Sequence, residues 1–551
     1  MDFKGKTVYQ IYPKSFCDTN GDGWGDLPGI ISKLDYLKEL GIDYIWLNAF
    51  FPSPQKDNGY DVQDYRSIDP RYGTMDDFLQ LCAEAKDRGI DIMLDMVFNH
   101  TSTEHIWFKR ALAGDPKYKN YYIWKKGKPG HQPPNNWQSK FGGSAWEYVA
   151  KYDEWYLHLF DVTQADLNWE NPEVRKEMAD IIRYWSEKGV HGFRFDVVNL
   201  ISKGSYEDDP HHFDGRQFYT DGPRVHEYLR ELNERSFGRD PQHLTVGEMS
   251  STSIENCTEY AGHASNELDM VFSFHHLKVD YKDQKKWELM PFDFMELKRI
   301  MNEWQIGMQE KNAWNALFLN NHDQPRALSR FGDDQKYPKE SAKMLATLIH
   351  MMRGTPYVYQ GEELGMTNAY FSSIDQYRDV ESKNIYRILL SQGRSKEEIL
   401  HILQARSRDN SRTPMPWNDQ KNGGFTSGTP WLSLADNYEK INAKKVLKDP
   451  DSVFAHYQKL IALRKKMRII QDGIYVPRLE ENQSVFAYER RLGKESLIVI
   501  NNFYGKMTEV EIPHLHQYQI LLSNYKDSRA EDALQLRPYE SIVLYFKGAV
   551  E

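Results

Sequence analysis

The sequence predicts an α/β protein: a (β/α)8 TIM barrel with an inserted subdomain after strand 3 and a C-terminal all-β domain. Three observations carry that prediction. Short apolar, β-rich runs alternate with helical patterns through most of the chain, as βα units and a parallel sheet require. Polar clusters recur where those runs end, and in such a barrel the C-terminal strand ends carry the active site. From about Asp472 the rhythm changes to short alternating strands without helices between them. At 551 residues the chain exceeds one ordinary core, so a large domain with smaller ones is expected.

The first strand is read over residues 7–12, followed by a Gly/Asp loop and a helical pattern over 30–40. A second strand, 44–48, leads to a loop with Asp57, Tyr60 and Asp61, then to a helix over 75–88. The third strand runs through Asp95 to a polar end at Asn99 and His100. Residues 101–172 break the rhythm and are rich in Trp, Tyr, Gly and Pro, which reads as an inserted subdomain able to wall a pocket. Strands four to eight follow at 191–196, 244–248, 270–274, 316–320 and 356–360. A second insertion, about 366–428, carries Arg408, Asp409 and Arg412, and a helix over 452–466 closes the barrel. The domains are therefore 1–100 and 173–471 for the barrel, 101–172 for the insertion, and 472–551 for a C-terminal β-sandwich. There is no internal repeat or low-complexity tract.

Composition narrows the partners. Lys and Arg number 70 against 80 Asp and Glu, a net charge of −10, with no basic stripe for a nucleic acid. The 14 Trp and 34 Tyr exceed ordinary need and suit sugar rings, whose C–H faces stack on aromatic planes. Cys17, Cys82 and Cys257 are odd in number and far apart, which fits a reducing compartment. No apolar signal segment or membrane-length run is present, so a cytoplasmic protein without a membrane partner is expected, and a monomer is favoured.

Asp18, Asn20, Asp22 and Asp26 place side-chain oxygens at alternate positions with glycines between them. A bare turn would need no such recurrence, whereas a hard cation such as calcium takes oxygen ligands in this spacing, as in the first half of an EF-hand loop.

The strongest chemistry lies at four strand ends. Arg194 and Asp196 are two residues apart on a strand and so share a face. Alone they would read as a surface ion pair. Glu248, Asp323, His100 and His322 at comparable ends overturn that reading. If Asp196 and Glu248 lie about 5 to 5.5 Å apart, one can attack an anomeric carbon while the other protonates the departing oxygen, which gives retention. Asp196 beside Arg194 suits the nucleophile, and Glu248, after an apolar run and near other carboxylates, suits the acid/base. Asp323 would stabilise developing positive charge, and His100 and His322 would bond sugar hydroxyls.

Asp95 to His100, Gly192 to Asp196, the strand ending at Glu248, and Asn321 to Asp323 match, in order, the four signature regions of the α-amylase superfamily, which the chain thus resembles over nearly its whole length. Gln164 to Asn168 is similar to the fifth region of the oligo-1,6-glucosidase subfamily. The resemblance implies calcium held by Asp18, Asn20, Asp22, the Trp24 carbonyl and Asp26, and no organic cofactor. It implies that Tyr60 stacks under the reacting glucose, and that Asp57 and Arg412 hold its outer hydroxyls and close the pocket to exo action. Pro416 stands where relatives carry glutamine, and Val197 is the residue type the subfamily associates with α-1,6 bonds.

Residues 218–223, 247–252 and 274–281 most resemble the trehalose-6-phosphate hydrolases, which implies a small phosphorylated disaccharide as partner. Lys278, Lys282, Lys285 and Lys286 follow strand six on the active-site side, and of these Lys278 and Lys286 suit a phosphate best. The expected enzyme is a retaining α-glucosidase that yields glucose and glucose 6-phosphate. An oligo-1,6-glucosidase is the alternative. A non-catalytic barrel serving as transporter partner or binding module is disfavoured, because all three carboxylates are present.

Overall fold

The structure is a computed structural model that describes residues 3–211 and 214–548. Eight parallel strands form the central sheet: β1 (Val8–Ile11), β2 (Tyr44–Leu47), β3 (Asp91–Met96), β4 (Gly192–Phe195), β5 (Leu244–Glu248), β6 (Met270–Phe272), β7 (Ala316–Leu317) and β8 (Thr355–Tyr359). Their order is β6-β5-β4-β3-β2-β1-β8-β7, and a parallel bridge between Val271 and Asn315 closes the ring. All eight runs are nearly wholly buried, as strands packed on both faces must be. The interior is filled by aromatic rings: Phe272 and Tyr357 lie 4.6 Å apart, centroid to centroid, and Trp46 packs 5.8 Å from Phe272.

Several strands end earlier than the sequence predicts, most clearly β3 at Met96, β6 at Phe272 and β7 at Leu317. Pairing of β7 stops at Leu317 because the His276 ring, not a neighbouring strand, bonds the Phe318 carbonyl at 2.9 Å. β6 stops at Phe272, since the chain turns into a 3-10 helix over His275–Leu277. The outer helices form for local reasons as well. Asn171 caps the helix Pro172–Ser186, proline occupies its first turn, and Val174, Met178, Ile181, Ile182 and Trp185 make its buried stripe.

The inserted segment leaves and re-enters through one antiparallel pairing, His100–Ser102 against Gln164–Asp166. Beyond it lies a three-stranded sheet, Trp124–Lys125, Glu154–Leu157 and Trp146–Val149, over a small core that includes Trp137, Trp146 and Leu159. The second insertion folds as helices Val380–Ser391 and Lys396–Arg406 followed by a 3-10 turn, Arg408–Asn410. Pro416 is buried under Gly423, away from the cleft.

The C-terminal region is a five-stranded antiparallel sheet faced by a two-stranded ribbon, Thr508–Glu511 with Ala533–Leu536. Period-two alternation explains the layers. Phe486, Tyr488, Leu497 and Val499 pack toward the barrel, while Val485, Ala487, Ile498 and Ile500 pack under Val510 and Leu534 of the ribbon.

Candidate active site

The register of the barrel assembles the floor of the site. Asp95 of β3 stands opposite Arg194 of β4, and Arg194 opposite Val246 of β5. Arg194 is 1% exposed, and its Nη1 donates to Asp95 Oδ1 and Asp196 Oδ1, each at 2.6 Å. Its Nη2 donates to Glu248. Three carboxyls from three strands thus converge on one guanidinium. Trp46 packs against its plane at 5.1 Å and also bonds Asp95 through Nε1 at 3.2 Å. Tyr60 donates to Asp95 Oδ2 at 2.8 Å, and its ring lies parallel to that of His322, 5.1 Å away.

The electrostatics differentiate these acids. Burial pushes Glu248 well above the usual carboxylate range, the Asp196 and Asp323 charges push further, and Arg194 offsets only part. Asp95 is pushed up to about 6 by burial and by Asp196, against Arg194. Asp323 behaves oppositely. Burial favours its neutral form, but contact with His322 and the charges of Arg408 and Arg412 hold it well below the usual range. Burial pushes His322 down, while the Asp323 beside it pushes it back up. Directly after Asp196, Val197 adopts φ +37°, a left-handed backbone costly for a β-branched residue, and it lines the cleft.

At the outer rim the structure corrects one expectation. Asp57 pairs with Arg408, whose Nη2 donates to Asp57 Oδ1 at 3.0 Å, not with Arg412. Arg412 instead donates from Nη2 to Asp323 Oδ1 at 2.6 Å and from Nε to the His322 carbonyl at 2.7 Å. Arg408 also bonds Asp379 at 2.5 Å and reaches Asp323 at 3.3 Å, so it ties the second insertion to the barrel. The turn Arg408–Asn410, capped by Ser407, aims Arg408 outward along the cleft. Burial pushes Asp57 up to about 7, with Arg408 and Arg412 opposing.

A cavity of about 320 Å3 opens over this network. Asp57, Tyr60, His100, Asp196, Glu248, Lys278, Lys286, Asp323 and Arg408 line it, with Phe141 and Phe160 of the insertion. His100 bonds the Tyr60 carbonyl through Nε2 at 3.0 Å. Arg194, His322 and Arg412 stand behind the lining as supports, each fully buried. Lys286 is committed to Glu381 at 2.6 Å, so it offers a partly neutralised charge. Lys282 and Lys285 are exposed and outside the lining. Sequence reasoning missed Asp95, Arg408, Asp379 and Lys140. A buried acid at a strand end signals the first; the others lie in insertions and have no local signature.

The description "Alpha amylase, catalytic domain" matches residues 10–473, and "Alpha-amylase SusG C-terminal domain" matches 485–543. The chain belongs to the α-amylase family of glycoside hydrolases. Among its relatives, the trehalose-6-phosphate hydrolase of Bacillus subtilis is 54% identical over 98% of this chain and 97% of its own. An oligo-1,6-glucosidase of Halalkalibacterium halodurans is 48% identical over 99% of each. A crystal structure of Bacillus licheniformis trehalose-6-phosphate hydrolase superposes with a TM-score of 0.95 at 56% identity, covering 98% of this chain and 99% of that one. In α-amylase-family terms, β4, β5 and the segment after β7 deliver the three acids, and the insertion after β3 supplies the roof.

The Asp18 to Asp26 loop of this α-amylase-family barrel is a run of Asx turns. Asp18 accepts from the Asn20 and Gly21 amides, Asn20 from Asp22, and Asp22 from Trp24, all at 2.8–2.9 Å. Gly21 and Gly23 have φ of +82° and +92°, and a Cβ at Gly23 would strike the Thr429 carbonyl. Among the described residues no three Asp, Glu, His or Cys side chains gather closely enough to hold an ion by themselves. The donors are nonetheless all oxygen and suit a hard cation, provided the Asn20 amide and Trp24 carbonyl join them.

Proposed function

We propose that the protein is a retaining, exo-acting α-glucosidase that hydrolyses trehalose 6-phosphate to glucose and glucose 6-phosphate. The observation that carries this reading is one cleft that joins Asp196, Glu248 and Asp323 at its floor to Lys278 on its wall, which has no ion-pair partner among the described residues. Asp196 attacks C1 of the terminal glucose while Glu248 gives its proton to the glycosidic oxygen. The C1–O bond breaks, glucose 6-phosphate departs, and a glucosyl ester of Asp196 remains. Glu248, now a carboxylate, takes a proton from water, which attacks C1 and releases glucose with its configuration retained. Asp196 and Glu248 share the Arg194 guanidinium and interact directly with each other, a proximity that suits the direct attack of a retaining enzyme.

Asp323, held anionic, faces the oxocarbenium-like charge. The Asp57–Arg408 pair closes the rim beyond the sugar, which favours cutting single glucoses from a chain end. The activity named for the Bacillus subtilis relative agrees with this reading. An oligo-1,6-glucosidase on isomaltose-type sugars is the second reading, favoured by Val197 on the cleft wall.

Side-by-side kcat/KM for trehalose 6-phosphate, trehalose and isomaltose tests the choice. A charge-assisted bond worth about 1.5–3 kcal/mol predicts at least a roughly tenfold preference for the phosphorylated sugar. A preference for isomaltose would overturn it. We also propose that Asp18, Asn20, Asp22, Asp26 and the Trp24 carbonyl hold a structural calcium that pins the loop after β1 against residues 426–431, where Thr426 bonds Asp18.

A further inference from the structure

We infer that Lys140, on the inserted subdomain, closes with Lys278 as a two-sided clamp on the phosphate of the leaving sugar and is thereby a specificity-determining residue. The inference rests on the reading of trehalose 6-phosphate as substrate.

Lys140 sits in a tight hairpin bounded by the bridge between Gln138 and Ser144. Its backbone amide bonds the Leu159 carbonyl at 2.8 Å, and the next residue, Phe141, packs edge-on against Phe160 in the cleft roof. The hairpin is therefore tied to the roof at both its backbone and its neighbour. From there Lys140 extends over the Tyr219 ring, and its Nζ comes 3.4 Å from Ser250 Oγ, two residues beyond Glu248. Lys278 approaches from the segment after β6. Both line the one cavity, Lys140 from the inserted subdomain and Lys278 from the segment after β6.

Position decides which part of a substrate they meet. Asp57, Tyr60, His100 and Asp323 come from the segments after β2, β3 and β7 and surround the place of the reacting glucose. Lys140, Ser250 and Lys278 gather beside Glu248, the group that protonates the leaving oxygen. A charge on the leaving sugar falls to them.

Their charge state is the second observation. Arg408 pairs with Asp57 and Asp379, Lys286 with Glu381, and Arg216 with Asp214 at 2.5 Å. Among the described residues, Lys140 and Lys278 alone of the lining cations lack a carboxylate at ion-pair distance. Two ammonium groups left facing one cavity repel each other, and an anion carrying about −1.5 to −2 charges removes that repulsion and gains both contacts. Compact point charges on flexible stems suit a phosphate whose orientation varies with the turn of the leaving sugar. Desolvation at the cleft, then Arg216 and Lys278, push Lys140 down, while Asp214 and Glu248 push it back up; the side chain is exposed, so solvent screens part of this. Desolvation and then Arg216 also push Lys278 down.

The test compares the parent with Lys140→Met, Lys140→Arg and Lys278→Ala. The readout is the ratio of kcat/KM for trehalose 6-phosphate to that for p-nitrophenyl α-glucoside, which carries no phosphate. Methionine keeps the stem over Tyr219 and removes only the charge. The ratio should fall at least tenfold in Lys140→Met, mostly through KM for the phosphorylated sugar, and recover most of the way in Lys140→Arg. Inorganic phosphate should inhibit aryl glucoside hydrolysis by the parent more strongly than by Lys140→Met. A Lys140→Met ratio within twofold of the parent, with Lys278→Ala reduced, overturns the clamp and leaves the substrate reading standing. A parent with no preference for the phosphorylated sugar overturns the substrate reading itself.

Discussion

Glu248→Gln isolates the proton from the rest of the site. The amide has the size of the acid, and its oxygen can still accept from Arg194, so the floor network keeps its shape. What it loses is the proton that burial and two neighbouring carboxylates hold on Glu248. A positioned general acid is worth about 10²–10⁴-fold, or roughly 3–5 kcal/mol of barrier. The enclosed, strongly shifted Glu248 belongs near the upper end, so trehalose 6-phosphate turnover should fall about a thousandfold or more. A nitrophenyl glucoside leaves as a stable anion and needs little protonation, so its first step should survive. The second step also needs Glu248, as base, so the glucosyl–Asp196 ester should accumulate. Stopped-flow should therefore show a burst of nitrophenol matching the enzyme concentration, and intact mass spectrometry the glucosyl adduct. The sign of the pH effect follows from the upward shift. Glu248 is competent below its raised pKa and loses its proton above it, so this group sets the alkaline limb of the parent's kcat/KM, and that limb should vanish from the burst rate of the variant. Equal loss on both substrates without a burst would refute the acid role.

Two further outcomes probe the rim and the loop. Arg408→Met leaves Asp57 without its ion-pair partner and weakens the hold on Asp323 and Asp379; breaking such a buried network costs about 3–5 kcal/mol, so thermal denaturation should begin several degrees lower and kcat/KM should fall for every substrate. An unshifted transition would show that Arg412 alone suffices to hold this rim. Chelator treatment should lower the melting temperature and added calcium restore it, with Asp22→Asn blunting the response; a transition indifferent to both would remove the metal from the Asp18 to Asp26 loop.

The barrel was legible because each strand is an apolar run that ends in polar residues, and both features act over a handful of residues. Asp196, Glu248 and Asp323 were visible for the same reason: a strand end fixes where its last side chain stands. The misreadings begin where the chain leaves the strands. Arg408 and Arg412 lie four residues apart in one irregular segment, and only the 3-10 turn at Arg408–Asn410 decides which reaches Asp57. Lys286 suited a phosphate by its place after strand six, but its partner, Glu381, lies 95 residues away in the second insertion. Lys140 carries no sequence signal at all, and it becomes a cleft cation only when the roof is set over β5. Charge has no period along a chain. A strand or helix must repeat its pattern to bury one face, so its sequence advertises the fold, whereas an ion pair asks for one residue at each end and leaves the interval unconstrained. Substrate preference, which rests on whether a lysine finds a carboxylate or is left for a phosphate, is therefore written in the packing of the insertions rather than in the barrel that carries the chemistry.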